Sequence, residues 1–137
     1  MSGTFKFFDV SRFPLVTIAG SRLPPGYATQ WIAEMEALLA RDEPFSFVFL
    51  DNVENPMHED QKAQMQWLKK NKKALAGLCR GAVAVEPDAA RRMLKRAQAL
   101  AVTAAFGLRF AVAPSAEAAE QRARRLLAGE TPADEDE

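Results

Sequence analysis

The sequence predicts an α/β domain with a mixed sheet of about five strands and four helices, in the order β-β-α-β-α-β-α-β-α. Apolar runs of strand length are followed by longer segments whose apolar residues recur every three or four positions. This is the pattern of parallel strands joined by helices. Only the link 11–14, which ends in Pro14, separates the first two strands. A link this short predicts an antiparallel hairpin at the start of the sheet.

The strand segments are short and rich in β-branched and aromatic residues, which suit a pleated, partly buried backbone. The most apolar of them, residues 45–50, follows Pro44 and stops at Asp51. An almost continuous apolar run of this length predicts a buried strand. We place the five strands at residues 5–10, 15–20, 45–50, 81–85 and 108–113.

The first two helices are predicted from apolar residues at helical spacing. The first spans residues 27–41, and its stripe comprises Tyr27, Trp31, Met35, Leu38 and Leu39. The second spans residues 56–77, with Asn55 as a candidate N-cap, Pro56 at the first position and Gly77 as an end signal. Its inward residues are predicted to be Met65, Leu68, Leu75 and Leu78, with Trp67 beside them.

The last two helices are rich in alanine. The third spans about residues 88–105 and ends at Gly107. Its apolar residues fall on one side of the helix and comprise Met93, Leu94, Ala97, Leu100 and Ala101. The fourth begins after Ser115, which is a favourable N-cap residue.

Composition and charge indicate one soluble globular domain. Of the 137 residues, 48% are hydrophobic and 26% are charged. The zero net charge conceals an asymmetry, because 18 basic residues oppose 13 acidic ones before Glu130, and the other five acidic residues lie in 130–137. We therefore predict a domain over residues 1–129 and a disordered acidic tail over residues 130–137. The sequence shows no membrane-length apolar run and no signal-peptide pattern, so we expect a cytoplasmic location.

The motifs of several common chemistries are missing from the sequence. It has no Gly-x-Gly-x-x-Gly fingerprint, no Walker loop and no Gly-x-Ser-x-Gly elbow. His58 is the only histidine and Cys79 the only cysteine, which rules out an intramolecular disulfide and a cysteine-pair metal site. We interpret Cys79 as a small buried hydrophobic residue rather than a reactive thiol. The sequence predicts no cofactor and no enzyme activity.

The densest group of polar side chains follows the strand at 45–50. Open α/β sheets bind ligands at the carboxyl ends of their strands, so we take this segment as the candidate ligand or partner surface: Asp51, Asn52, Glu54, Asn55 and His58. A divalent metal held by Asp51, Glu54 and His58 is an alternative. We favour helix capping for these residues, because acidic groups in a first helical turn also stabilise the helix.

Basic residues form two clusters on the predicted helices. We take as a candidate anion surface Lys69, Lys70, Lys73, Arg91, Arg92 and Lys95. Such clusters bind nucleic acid, acidic lipid or acidic protein, but they also occur on solvated helix faces. The small charge surplus and the lack of interleaved aromatic residues disfavour nucleic acid. We favour a solvated face, and an acidic membrane surface is the alternative.

The order of the elements, the strand end Leu50-Asp51 and the last unit, residues 108–119, resemble a STAS-like domain, the domain of sulfate transporters and anti-sigma-factor antagonists. The likeness is greater to the SpoIIAA-like branch of small stand-alone bacterial proteins. This resemblance implies a non-enzymatic regulatory or binding module. In the antagonists, a serine or threonine soon after the matching strand is phosphorylated to switch partner binding. This chain departs from that pattern, because it has no serine or threonine between Ser46 and Thr103.

The sequence therefore favours a non-catalytic, cytoplasmic regulatory or binding domain that interacts with a protein partner or a small ligand. Three alternatives stay open. One is a small metal-assisted enzyme that uses Asp51, Glu54 and His58. Another is a binder of acidic membrane surfaces through the basic helix faces. A homodimer through a sheet edge or a helix face is the third.

Overall fold

The computed structural model describes residues 5–52 and 57–130. These ranges contain the strands β1 (Phe8–Asp9), β2 (Leu15–Ala19), β3 (Phe45–Asp51), β4 (Cys79–Val85) and β5 (Phe110–Ala113). They also contain the helices α1 (Ala28–Ala40), α2 (His58–Lys70), α3 (Lys72–Leu78), α4 (Ala89–Phe106) and α5 (Ala116–Leu127). A 3-10 turn, Gly20–Arg22, follows β2.

The five strands form one mixed sheet in the order β1-β2-β3-β4-β5. β1 pairs antiparallel with β2, and each later strand pairs parallel with the one before it. The α/β class, the mixed five-stranded sheet and the opening hairpin are thus confirmed. Because β2 to β5 run in one direction, their carboxyl ends meet at a single edge of the sheet.

The prediction of four helices is wrong, because the segment expected to form one helix over residues 56–77 forms two. The break falls at Asn71, whose side-chain amide donates to the carbonyl of Trp67 at 2.9 Å while its backbone N–H bonds to the same oxygen. Asparagine competes with helical hydrogen bonds in this way. The end signal at Gly77 is also misplaced, since α3 continues to Leu78. The candidate cap Asn55 and Pro56 lie outside the described residues.

Side chains fill both faces of the sheet. On one face, β3 contributes Phe45 and Phe47 to a cluster with α1, α2 and α3. On the other face, Val48 packs with α5, and the Ser46 hydroxyl donates to the carbonyl of Ala123 at 3.0 Å. The period of two along a strand produces this division. The strand is therefore buried on both sides, as predicted.

Both tryptophans lie in the core, as predicted. Trp31 and Trp67 meet edge to face with ring centroids 5.6 Å apart. Met65, however, is 45% exposed, so its predicted inward position is wrong. It lies two positions before Trp67, and a helix turns each successive residue by about 100°, which separates the two side chains by more than half a turn.

Two buried carboxylates tie separate elements together. Glu34 of α1 is fully buried and accepts hydrogen bonds from the backbone N–H groups of residues 6–8 beside β1. Asp60 of α2 accepts from the N–H of Gly26 at 2.9 Å and of Ala28 at 3.1 Å, and so caps α1. Each carboxylate satisfies donors that the hairpin end or the helix start leaves unpaired.

The remaining cap predictions are confirmed. The Ser115 hydroxyl accepts from the N–H of Ala118, and Gly107 ends α4 in the left-handed conformation, with φ +70°. Glu130 is the last described residue of the predicted acidic tail, and residues 131–137 lie outside the described ranges. None of the helices described here combines the length and hydropathy that a membrane crossing requires.

Candidate functional site

A cavity of about 320 Å³ lies between α4 and the carboxyl edge of the sheet. Gly20, Asp51 and Asn52 line it from the ends of β2 and β3, and Trp31 and Gln64 line it from α1 and α2. A second cavity of about 200 Å³ adjoins it deeper in the fold. The two share the lining residues Ile18, Trp31, Phe49, Gln64, Val102 and Phe110. The combined space is in the size range of small-molecule sites.

Small side chains on facing elements create this space. Ala82 and Ala84 of β4 lie on the side of the sheet that faces α4, and α4 contributes Ala99 to the opposite wall. Over these alanines, the rings of Phe49 and Phe110 stack with centroids 5.8 Å apart, although β4 separates their strands. The walls are therefore apolar and aromatic, and the floor consists of alanine.

The polar groups concentrate at the mouth of the first cavity. The ammonium of Lys95 bonds to Oδ1 of Asn52 at 3.0 Å and to Oε1 of Glu86 at 3.1 Å. Burial alone would raise the pKa of Glu86, but the hydrogen bonds from Lys95 and from the Asp88 N–H lower its pKa below the ordinary value. The mouth thus holds Lys95 in a fixed, charge-paired position next to amide groups.

Asp51 reaches the mouth with both carboxylate oxygens already bonded. The Ser21 N–H donates to Oδ1 at 2.8 Å, and the Ser21 hydroxyl donates to Oδ2 at 2.7 Å. These bonds join the turn after β2 to the end of β3. In this structure Asp51 shapes the rim of the cavity.

The structure brings together only part of the predicted ligand surface. Asp51 and Asn52 line the cavity, whereas Glu54 and Asn55 lie outside the described residues. His58 is exposed at the first position of α2 and is absent from the lining of both cavities. Within residues 5–52 and 57–130, no three His, Cys, Asp or Glu side chains are grouped so that they could hold a metal ion.

The predicted anion surface divides into two parts. Lys69, Lys70 and Lys73 are exposed at the end of α2 and the start of α3. Arg92 and Lys95 are half-buried on the inner side of α4, where the Arg92 guanidinium donates to the carbonyls of Glu86 at 3.0 Å and Pro87 at 2.8 Å. Only Arg91 of this second cluster is exposed.

Cys79 is buried, as predicted. Its thiol donates to the carbonyl of Gly81 at 3.5 Å, and burial raises its pKa from 9.0 to about 11. A thiol in this state is protonated at neutral pH and therefore a poor nucleophile.

Sequence reasoning missed Gln64, Gln98 and Val102 as cavity residues and assigned Lys95 to a solvated face. A signal was present in α4, because Lys95, Gln98, Ala99 and Val102 recur at spacings of three and four on the side opposite the apolar stripe. Amphipathic helices normally turn the apolar stripe inward. Here the other side faces the sheet.

Fold and site together define the class of this protein as an α/β domain with an apolar cavity at the carboxyl edge of its parallel strands. Comparisons with family models, with curated proteins and with solved structures give no match for this chain.

Proposed function

We propose that the chain is a non-catalytic, cytoplasmic binding domain that holds a small apolar molecule with a neutral polar head in the cavity under α4. The observation that supports this most is an apolar cavity that opens at the strand ends, where the polar groups Lys95, Asn52 and Gln98 converge. Cavities of this size and composition, with a few converging polar groups, are typical of ligand sites.

The apolar body of the ligand follows from the cavity walls. Phe49, Phe110 and Trp31 present aromatic surface, and Ile18 and Val102 add aliphatic surface. A ligand chain that covers these side chains gains roughly 25 cal/mol for each Å² of apolar surface removed from water. The deeper cavity gives a chain of several carbons room to extend.

The neutral head follows from the charges at the mouth. The positive charge of Lys95 is already balanced by Glu86 at 3.1 Å, and Asp51 adds a further negative charge nearby. A carboxylate or phosphate would meet two acidic side chains there. An ammonium has three donors, and two of those on Lys95 have partners among the described residues. A carbonyl or hydroxyl oxygen of the ligand is therefore the group that suits the third N–H donor of Lys95.

The proposal is tested by thermal unfolding with four eight-carbon probes that differ only in the head: octanamide, octan-1-ol, octanoate and octylamine. Octanamide and octan-1-ol should raise the Tm. At about ten times the Kd the gain is about 1.4 kcal/mol, which is about 3–5 °C for a chain of this size. If octanoate or octylamine binds best, the neutral head is wrong. If none of the four changes the Tm, the proposed ligand class is wrong.

A pair of matched variants locates the binding. Ala84→Phe should fill the cavity and abolish the Tm shift, because Ala84 lies on the cavity floor. Ala116→Phe is the control, since Ala116 is exposed at the start of α5 on the other side of the sheet. Ala99→Leu provides a second filling variant from the helix side if Ala84→Phe does not fold. Retention of the shift in a folded filling variant would place the ligand elsewhere.

The STAS-like assignment stays a prediction. The strand and helix order agrees with the resemblance, apart from the extra break in the second helix. The absent phospho-acceptor is consistent with a module controlled by ligand rather than by phosphorylation.

The metal-assisted and membrane-surface alternatives have less support. Both oxygens of Asp51 already accept hydrogen bonds from Ser21, and no three metal-ligating side chains come together among the described residues. Thermal unfolding with magnesium, manganese and zinc tests the metal alternative, and sedimentation with acidic vesicles at low and high salt tests the membrane one.

A further inference from the structure

The outer side of α4 is an apolar surface that no described residue covers. Met93, Leu94 and Leu100 are 70%, 64% and 70% exposed. At about 100° per residue, they share an arc of about 140° with five exposed alanines, and no polar residue falls in it. The eight residues of this outer face are Ala90, Met93, Leu94, Ala97, Leu100, Ala101, Ala104 and Ala105.

The orientation of α4 leaves its apolar side in contact with water. The inner side of the same helix carries Arg92, Lys95 and Gln98, so the helix is turned with its polar residues toward the fold. A helix that exposes its apolar stripe indicates an interaction surface. This orientation is held by the bonds of Arg92 and Lys95 to residues 86–87 in the link between β4 and α4, and by the bond of Lys95 to Asn52.

We infer that the outer face of α4 binds the same face of a second copy, with the two helices antiparallel around a two-fold axis near Ala97. The dimensions of the face support this partner. Residues 90–105 span about 23 Å, and the arc is roughly 12–15 Å wide, which is the footprint of one helix of similar length. The α4 helix of a second copy has that length.

Size complementarity selects the antiparallel arrangement. Two of the three large residues, Met93 and Leu94, lie in the first half of the face. The second half combines the large Leu100 with the small Ala101, Ala104 and Ala105. With the axis near Ala97, Met93 of one copy stands level with Ala101 of the other, and Leu94 stands level with Leu100. Met93 thus packs over an alanine and Leu94 beside Leu100, whereas parallel helices would set Met93 against Met93 and Leu94 against Leu94. The central alanines let the helix axes approach to about 8 Å.

Charge selects the same arrangement. All four charged residues of α4 are basic and lie in its first half: Arg91, Arg92, Lys95 and Arg96. Parallel helices would bring the two basic halves together. Antiparallel helices place each basic half beside the uncharged second half of the other copy, next to the negative end of its helix dipole.

A membrane surface fits this face less well. Five of its eight residues are alanine and none is aromatic, whereas interfacial helices present larger apolar groups. Arg92 is directed to the link between β4 and α4, and Lys95 to that link and to Asn52, rather than along the border of the outer face. The paired outer faces bury roughly 600 Å² in total, below the usual size of a permanent interface, so the dimer should form reversibly.

The first experiment is analytical ultracentrifugation of the full chain from micromolar to near-millimolar concentration. The average mass should rise from 15.1 kDa toward twice that value. Leu94→Lys should hold the protein at the monomer mass over the same range. Leu50→Lys is the matched control, since Leu50 is also an exposed leucine but belongs to β3. A wild-type mass that stays at the monomer throughout would overturn the inference.

Cysteine cross-linking tests the arrangement. Ala97→Cys should form a covalent dimer on oxidation, because the two sulfurs lie next to the axis. Ala104→Cys should not, since the two sites would be about 20 Å apart along the helices, beyond disulfide reach. Equal cross-linking of both variants would show parallel helices and overturn the arrangement. If the protein stays monomeric and binds acidic vesicles, and if Leu94→Lys abolishes that binding, the face belongs to a membrane contact instead.

Both sites are exposed alanines, so the variants should fold, and the native Cys79 is buried and should not take part. The inference does not depend on the proposed ligand. The protein can prove monomeric while octanamide still raises its Tm, and it can prove dimeric while octanamide has no effect.

Discussion

Glu34 should be one of the side chains on which the stability of this fold most depends. Its carboxylate is fully buried and accepts from the N–H groups of Lys6 at 2.9 Å, Phe7 at 3.1 Å and Phe8 at 2.8 Å. The side chain of Gln30 donates to the same group at 2.7 Å. Four donors thus converge on one carboxylate that water does not reach.

Glu34→Gln keeps the volume of the side chain and changes only its hydrogen bonding. One oxygen stays an acceptor, but the new amide NH₂ faces groups that also donate. The N–H of Phe8 is buried, whereas Lys6 and Phe7 retain access to water. A lost bond to a charged group costs about 1.5–3 kcal/mol when the donor is buried and less when water replaces it. We expect a total loss of about 3 kcal/mol.

Urea unfolding measures this loss, and hydrogen exchange shows where it acts. The amides of residues 6–8 should lose protection before those of β3, because β1 is a short edge strand. Glu43→Gln is the control, since Glu43 is exposed in the loop after α1, and it should change stability by less than about 0.5 kcal/mol. A loss below about 1 kcal/mol for Glu34→Gln, with exchange at residues 6–8 unchanged, would refute this account.

Three further predictions concern the other buried polar groups. Asp60→Asn should cost about 1–2 kcal/mol in urea unfolding, because one of the two capping bonds at the start of α1 is lost, and an unchanged midpoint would contradict the capping role. Since burial raises the pKa of Cys79 from 9.0 to about 11, the unfolded thiol ionises first as the pH rises. Between pH 9 and about pH 11, the free energy of unfolding of the wild type should therefore fall by about 1.4 kcal/mol per pH unit relative to that of Cys79→Ala. Parallel curves of unfolding free energy against pH for the two proteins would contradict the raised pKa. Lys95→Met should destabilise the protein at neutral pH by removing the partner that lowers the pKa of Glu86. This deficit should shrink below about pH 4.5, where the unfolded Glu86 becomes protonated, and a deficit independent of pH would show that lost packing, not charge, is responsible.

The sequence alone predicted the fold closely because local patterns specify it. Alternation and apolar runs mark the strands, Ser115 and Gly107 mark helix ends, and the short link 11–14 allows only a hairpin. The break at Asn71 was missed because apolar residues continue at helical spacing across it, while the competing hydrogen bond to Trp67 depends on the conformation of a single side chain.

The candidate site was only half visible in the sequence. The strand end at Asp51 and Asn52 could be located, because the carboxyl edge of a parallel sheet follows from strand order. Which side of α4 faces that edge could not, since the helix has an apolar side and a polar side and the sequence does not say which one packs.

The sequence by itself determined the five strands, the helical segments between and after them, their order and the absence of several catalytic motifs, because these depend on residues close together along the chain. Only the tertiary structure decided that Glu34 holds β1, that Asp60 caps α1 and that Lys95 meets Asn52 and Glu86. Each of these contacts joins groups on different elements, except that Glu86, one partner of Lys95, lies in the link just before the helix that carries Lys95. Their partners are set by how helices lie on the sheet, which no local pattern encodes.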